Sequence, residues 1–147
     1  GDVGYIDEKG RLWFCGRKSQ RVITAKRTFY TICCEGIFNC HPQVRRTALV
    51  GIGPKGNQTP IIIIEAEPGK HPRTEDEYRR FVAELLKLAE NSPINRDIKH
   101  VMFNLSFPVD IRHNAKIFRE KLAVWAHERI MHQKDNLFIK SLKNLDR

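Results

Sequence analysis

Two cationic stretches, one near each end of the chain, hold the residue types best suited to chemistry. Between Lys9 and Arg27 there are seven Lys or Arg and no Asp or Glu. Five of them, Arg17, Lys18, Arg21, Lys26 and Arg27, follow Gly16, a residue that frees the backbone. A flexible basic segment of this kind is an anion site in waiting. In the second stretch Lys116 stands between Ala115 and Ile117, immediately ahead of a helical pattern. A lone lysine ahead of a helix is by itself most often a solvated surface side chain. His113, in the same loop, is a lesser candidate as a base.

The elements that must hold these residues can be read from periodicity. Val3, Tyr5 and Ile6, the turn Asp7-Glu8-Lys9-Gly10, and Leu12 to Cys15 predict a β-hairpin that feeds the basic loop. Phe29 to Ile32 is β-leaning, and Glu35 to Cys40 reads as a short helix stopped by His41-Pro42. Val44 to Ile52 and the wholly apolar Pro60 to Ala66 predict two strands joined by the turn Gly53 to Asn57, the second covered on both faces. Thr74, with Glu77 three residues on, makes a capping box for a helix whose apolar stripe is Tyr78, Phe81, Val82, Leu85, Leu88 and Ala89. Ile98 to Leu105 is a further strand. Phe118, Leu122, Trp125 and Ala126 stripe a second helix, and Met131 to Arg147 reads as an amphipathic helical tail. The fold class expected is therefore α+β, a mixed sheet of about three strands flanked by helices and preceded by a short hairpin.

Composition narrows the partners. The 147 residues carry a net charge of +9, of which nine Lys or Arg against four Asp or Glu lie between Arg112 and Arg147. Either a polyanion partner or a well-solvated surface explains that excess. Few aromatic platforms stand among the cations, so no nucleic-acid partner is expected. The four cysteines, Cys15, Cys33, Cys34 and Cys40, form no C-x-x-C, and a metal site is not expected. Free thiols and the lack of a spanning apolar run give a cytoplasmic expectation.

Two motifs far apart in the chain carry a resemblance. The first runs Gly1-Asp2-x-Gly4-x-x-Asp7-x-x-Gly10 and then Gly16-Arg17, and the second is Pro108 followed by Asn114-Ala115-Lys116-Ile117-x-Arg119-x-x-Leu122. Together with Glu35 to Val44, they resemble the C-terminal region of the adenylate-forming superfamily of acyl-CoA synthetases, luciferases and adenylation domains. The wording Pro108 to Ile117 is most similar to the fatty-acyl adenylating branch that includes the olefin-pathway β-lactone synthetases.

The resemblance implies a division into residues 1–18, the last hairpin of a large N-terminal domain with its hinge, residues 19–130, a small lid domain, and residues 131–147, a basic helical tail. It implies that Asp2 binds the ribose hydroxyls of ATP, that Arg17 contacts ribose or phosphate, and that Lys116 reaches the attacked carboxylate and α-phosphate. Ser19 falls at the pivot, where the family usually carries Asp or Lys, and Lys26 and Arg27 fall on a lid loop where it usually has Gly nearby. ATP and Mg2+ are the implied cofactors, with CoA in thioester-forming members. The implied partners are the protein's own N-terminal adenylation domain, a fatty or 3-hydroxy fatty acid, and neighbouring enzymes of a lipid pathway. The expected activity is acyl-AMP formation followed by β-lactone closure, with CoA ligation as the alternative and, distantly, a basic nucleic-acid-binding module, which would explain the +9 charge but not the two motifs.

Overall fold

The computed structural model describes residues 1–113 and 116–132. Its centre is a three-stranded sheet made by β5 (Val44–Ile52), β6 (Thr59–Ala66) and β7 (His100–Phe103), in that order, with β5 antiparallel and β7 parallel to β6. Around it lie β1 (Asp2–Ile6) and β2 (Leu12–Arg17) as an N-terminal hairpin, the short pair β3 (Val22–Ile23) and β4 (Thr28–Phe29), and the short pair β8 (Val109–Asp110) and β9 (Lys116–Ile117). The helices are α1 (Thr31–Phe38), α2 (Glu75–Glu90) and α3 (Arg119–His132). This is the α+β arrangement the pattern predicts.

The run Ile61 to Ile64 decides how the layers form. Strand side chains alternate between faces, so a continuous apolar run requires cover on both. Ile62 and Ile64 meet Phe38 of α1 and Phe81 and Leu85 of α2, whereas Ile61 and Ile63 meet Leu122 and Ala126 of α3. All four isoleucines are at most 1% exposed, and full burial of such a side chain stabilises the fold by roughly 1.5–3 kcal/mol. α2 begins as its capping box dictates, with the Glu77 N–H donating to Thr74 Oγ1 at 3.1 Å and the Arg73 N–H to Glu77 Oε2 at 2.7 Å.

Three local readings need correction. Ile32 to Cys34, expected to be extended or ahead of the helix, form its first turns, because α1 starts at Thr31 directly after β4. Cys34 and Phe38 then share the buried side, which supplies the tertiary contact that outweighs β propensity. β7 stops at Phe103, and Leu105 is 79% exposed rather than continuing the alternation. The turn after β7 is set by Asn104, whose Oδ1 accepts the Ser106 N–H at 3.0 Å. α3 continues through Met131 and His132, and the rest of the expected tail helix lies outside the described residues.

Candidate functional site

The cleft is built where the hairpin's exit meets the loop that precedes α3. β2 delivers Arg17 at its last position, opposite Asp2 at the first position of β1. Arg17 Nε lies 3.7 Å from Asp2 Oδ1, with both side chains more than half exposed. Such a pair is weak in water and can open to other partners. Gly16, at φ +119, makes the junction work. A Cβ there would lie 2.8 Å from Thr31 Oγ1, so the hairpin's end can approach α1 only through a glycine. Lys18 to Gln20 then form a single 3-10 turn that carries Ser19, and the Ser19 carbonyl accepts from Lys55 Nζ at 3.3 Å.

The second wall is the lysine loop. β8 and β9 pair through Val109 with Ile117 and Asp110 with Lys116. The Phe118 N–H donates to the Pro108 carbonyl at 2.9 Å, closing the base of the loop. Ile117 packs against the second core cluster beneath the sheet, while Lys116 is exposed. An anchored neighbour and an exposed ammonium are what a positioned cation requires. His113 Nδ1 lies 2.6 Å from Asp110 Oδ2, so the ring that could serve as a base is tied to an aspartate at the loop tip.

These walls bring three of the expected residues together. Asp2, Arg17 and Lys116 line one cleft of about 350 Å³, with Gln20 and Arg119. An adjoining cleft of about 410 Å³ shares Arg17, Gln20, Lys116 and Arg119 and adds Ser19 and Arg21. Lys26 and Arg27 lie elsewhere. They border a third cleft with Asn57, Lys99 and His100. There Arg27 pairs with Asp97 at 3.2 Å, donates to the Pro93 carbonyl at 3.2 Å and stacks over Phe29 at 4.7 Å. Arg27 is thus held by its own domain.

Arg119, a member of the second motif, is held by Glu35, a pairing that spacing could not single out. Arg119 Nη2 donates to Glu35 Oε1 at 2.6 Å and its Nε to Glu35 Oε2 at 3.1 Å. Glu35 also accepts the Leu49 N–H at 2.8 Å and is 4% exposed. Burial pushes its carboxyl above the ordinary carboxylate range, against the pull of Arg119 and of the Leu49 amide. All four cysteines are free, and burial pushes Cys33 and Cys34 up to about 12, far from the range of a reactive thiolate.

No protein-family model matches the chain. The olefin beta-lactone synthetase of Xanthomonas campestris pv. campestris is 51% identical to it over 126 residues, 86% of this chain and 22% of that protein. That of Stenotrophomonas maltophilia is 48% identical over 128 residues, with the same two shares. The chain belongs to the adenylate-forming ligase superfamily, as a C-terminal domain. Solved adenylate-forming structures share its fold. The amide bond synthetase McbA from Marinactinospora thermotolerans superposes with a TM-score of 0.67 at 25% identity, over 85% of this chain and 24% of its own. The anthranilate CoA ligase AuaEII in complex with anthranoyl-AMP gives 0.68 at 22%, over 86% and 23%. The chain therefore spans about a fifth of the length of the curated relatives it matches. None of its described helices is long and apolar enough to cross a membrane.

Proposed function

We propose that this domain is the lid of a cytoplasmic AMP-forming enzyme that activates a 3-hydroxy fatty acid and closes it to a β-lactone. The observation that carries the reading is the meeting of Asp2, Arg17 and Lys116 in one cleft, in a chain that is about half identical to two olefin beta-lactone synthetases. In the first half-reaction a carboxylate oxygen attacks the α-phosphorus of ATP and pyrophosphate leaves. Asp2 accepts hydrogen bonds from the ribose hydroxyls, since a carboxylate can take both donors of a vicinal diol. Arg17 turns from Asp2 toward ribose or phosphate. Lys116 brings its ammonium to the charge that builds on phosphorus and on the entering oxygen, a stabilisation realised mainly in the transition state. In the second half-reaction the substrate's own 3-hydroxyl oxygen attacks the acyl carbonyl, its proton is lost, and AMP departs.

Residues 1–18 are assigned to the large domain and its hinge, with Ser19 at the pivot and the lid beginning there. The acyl pocket and most nucleotide contacts belong to that large domain, the lid's principal partner. Lys26 and Arg27 would approach the site only after the lid turns. Mg2+ would be held by the triphosphate and the large domain. Among the described residues no group of three or more His, Cys, Asp or Glu could hold a metal ion.

A CoA ligase is the competing reading, favoured by 2-succinylbenzoate–CoA ligases that are 30–32% identical over 44–58% of the chain. Incubation of the full-length enzyme with ATP and a 2-alkyl-3-hydroxy fatty acid, with and without CoA, separates the two. A product mass equal to substrate minus water, formed without CoA, is expected. A thioester that forms only with CoA would replace lactone closure by ligation, and no AMP release under any condition would remove the adenylation reading.

A further inference from the structure

The lysine loop enters from β7 through Phe107 and leaves into α3 at Arg119, and a buried carboxylate holds each end. At the entrance, Glu65 of β6 accepts the Phe107 N–H at 2.5 Å and Arg46 Nε at 3.0 Å, and is 2% exposed. Arg46 in turn lies over the Phe107 ring at 5.8 Å. At the exit, Glu35 of α1 takes the two-pronged Arg119 pair and the Leu49 amide. Both carboxylates are anchored on rigid elements of the first and second core layers, whereas Lys116 between the two ends is exposed.

We propose that Glu35 and Glu65 are positioning residues that fix Lys116 by clamping the two ends of its loop, an inference that rests on the adenylation reading of Lys116. A flexible lysine stem can aim its charge only if its backbone is held, and the two-rung pairing of β8 with β9 is too short to do so alone. Buried, hydrogen-bonded carboxylates are directional and costly to leave unpaired, so Glu65 fixes the backbone at Phe107 and Glu35 fixes the Arg119 side chain at the start of α3. Arg119 adds a second consequence. It lines the same cleft as Lys116, and its pairing with Glu35 keeps its guanidinium from competing for the phosphate. Displacing a catalytic group by about 1 Å through a remote change can cost on the order of 10²-fold in rate.

The test uses the full-length enzyme and the variants Glu35→Gln and Glu65→Gln, which keep shape and remove charge. Pyrophosphate release with ATP and the hydroxy acid is measured beside backbone hydrogen exchange of residues 107–118. The expected result for each folded variant is a kcat lowered about 10- to 10²-fold. KM for ATP should stay nearly constant, exchange should quicken within 107–118, and the amides of β5 and β6 should stay protected. In a Lys116→Ala background the same substitutions should lower the rate no further, whereas a merely structural defect would still do so. If both variants exchange like wild type in the loop, or if they lower the rate equally with Lys116 absent, the inference is overturned. A variant too unstable to purify leaves the other to decide, and if neither folds, positioning gives way to a purely structural role. Wild-type enzyme that releases no pyrophosphate removes the adenylation reading instead, a result distinct from normal wild-type turnover with unaffected variants.

Discussion

Asp110 and Lys116 face one another across β8 and β9, and the Asp110 carboxylate is turned away to the loop tip, where it holds His113 Nδ1 at 2.6 Å and accepts the Arg112 N–H at 3.0 Å. The acid paired with Lys116 in register is thereby committed elsewhere. Lys116→Ala in the full-length enzyme should lower acyl-AMP formation by ~10²–10³-fold. Because the side chain is exposed, the melting temperature should be unchanged. ATP–pyrophosphate exchange measures the first and calorimetry the second. Exchange at the wild-type rate would falsify the assignment.

Leu122 anchors α3, and with it the exit of the lysine loop, on the face of the sheet opposite α1 and α2. It is fully buried in the cluster with Ile61, Ile63 and Met102. Leu122→Ala removes that contact and leaves a cavity, which should cost about 2–5 kcal/mol of stability. Urea unfolding of the domain, read as a midpoint shift at constant slope, is the check. A shift worth less than about 1 kcal/mol would mean that the site collapses around the missing atoms.

Much of this architecture was legible because it is local. The apolar run Ile61 to Ile64 announces a doubly covered strand, and Thr74 with Glu77 announces where α2 starts. Both signals rest on residues adjacent in sequence, and both stand in the structure. The Asp2–Arg17–Lys116 cleft was reached through matched motif wording rather than spacing, since 99 positions separate the last two residues. What could not be read is the pairing that crosses the domain. Nothing local distinguishes Glu35 from any acid on a short helix, and although Arg119 stands in the second motif, nothing in that motif names Glu35 as its partner. The start of α1 escapes the local pattern for a similar reason. Ile32 and Cys33 prefer extended structure, and only the burial of Cys34 and Phe38 commits them to a helix.

Asp7 gives the hairpin a dependence on pH. The Trp13 indole N–H donates to its Oδ2 at 2.9 Å, and the Arg11 and Lys9 backbone N–H groups to its Oδ1, each at 2.9 Å. Led by the Trp13 bond, these lower its pKa from 3.8 to about 2. A depressed carboxylate contributes stability that is present above the unfolded value and is lost as pH falls through the folded one. In a Trp125→Phe background, Trp13 fluorescence should therefore stay flat above pH about 4 and change between about 4 and 2. Asp7→Asn should abolish that transition, and its persistence would place the titration on another group.

Gly16 sets the geometry of the junction that presents Arg17. Its φ of +119 lies in a region that L side chains rarely adopt, and a Cβ would come within 2.8 Å of Thr31 Oγ1 and 3.4 Å of Ile32 Cγ1. Thr31 is itself 1% exposed, so its hydroxyl has little room to retreat. Gly16→Ala should therefore destabilise the domain by more than ~1 kcal/mol through strain and displacement together. Because the hairpin end must lift from α1 to admit the methyl, Arg17 should move with it. The full-length variant is then expected to show a raised KM for ATP with a smaller loss in kcat, the pattern of weakened ground-state binding. Steady-state kinetics across ATP concentrations is the measurement. An unchanged KM in a destabilised enzyme would separate the hairpin's structural duty from nucleotide binding and remove Arg17 from the site.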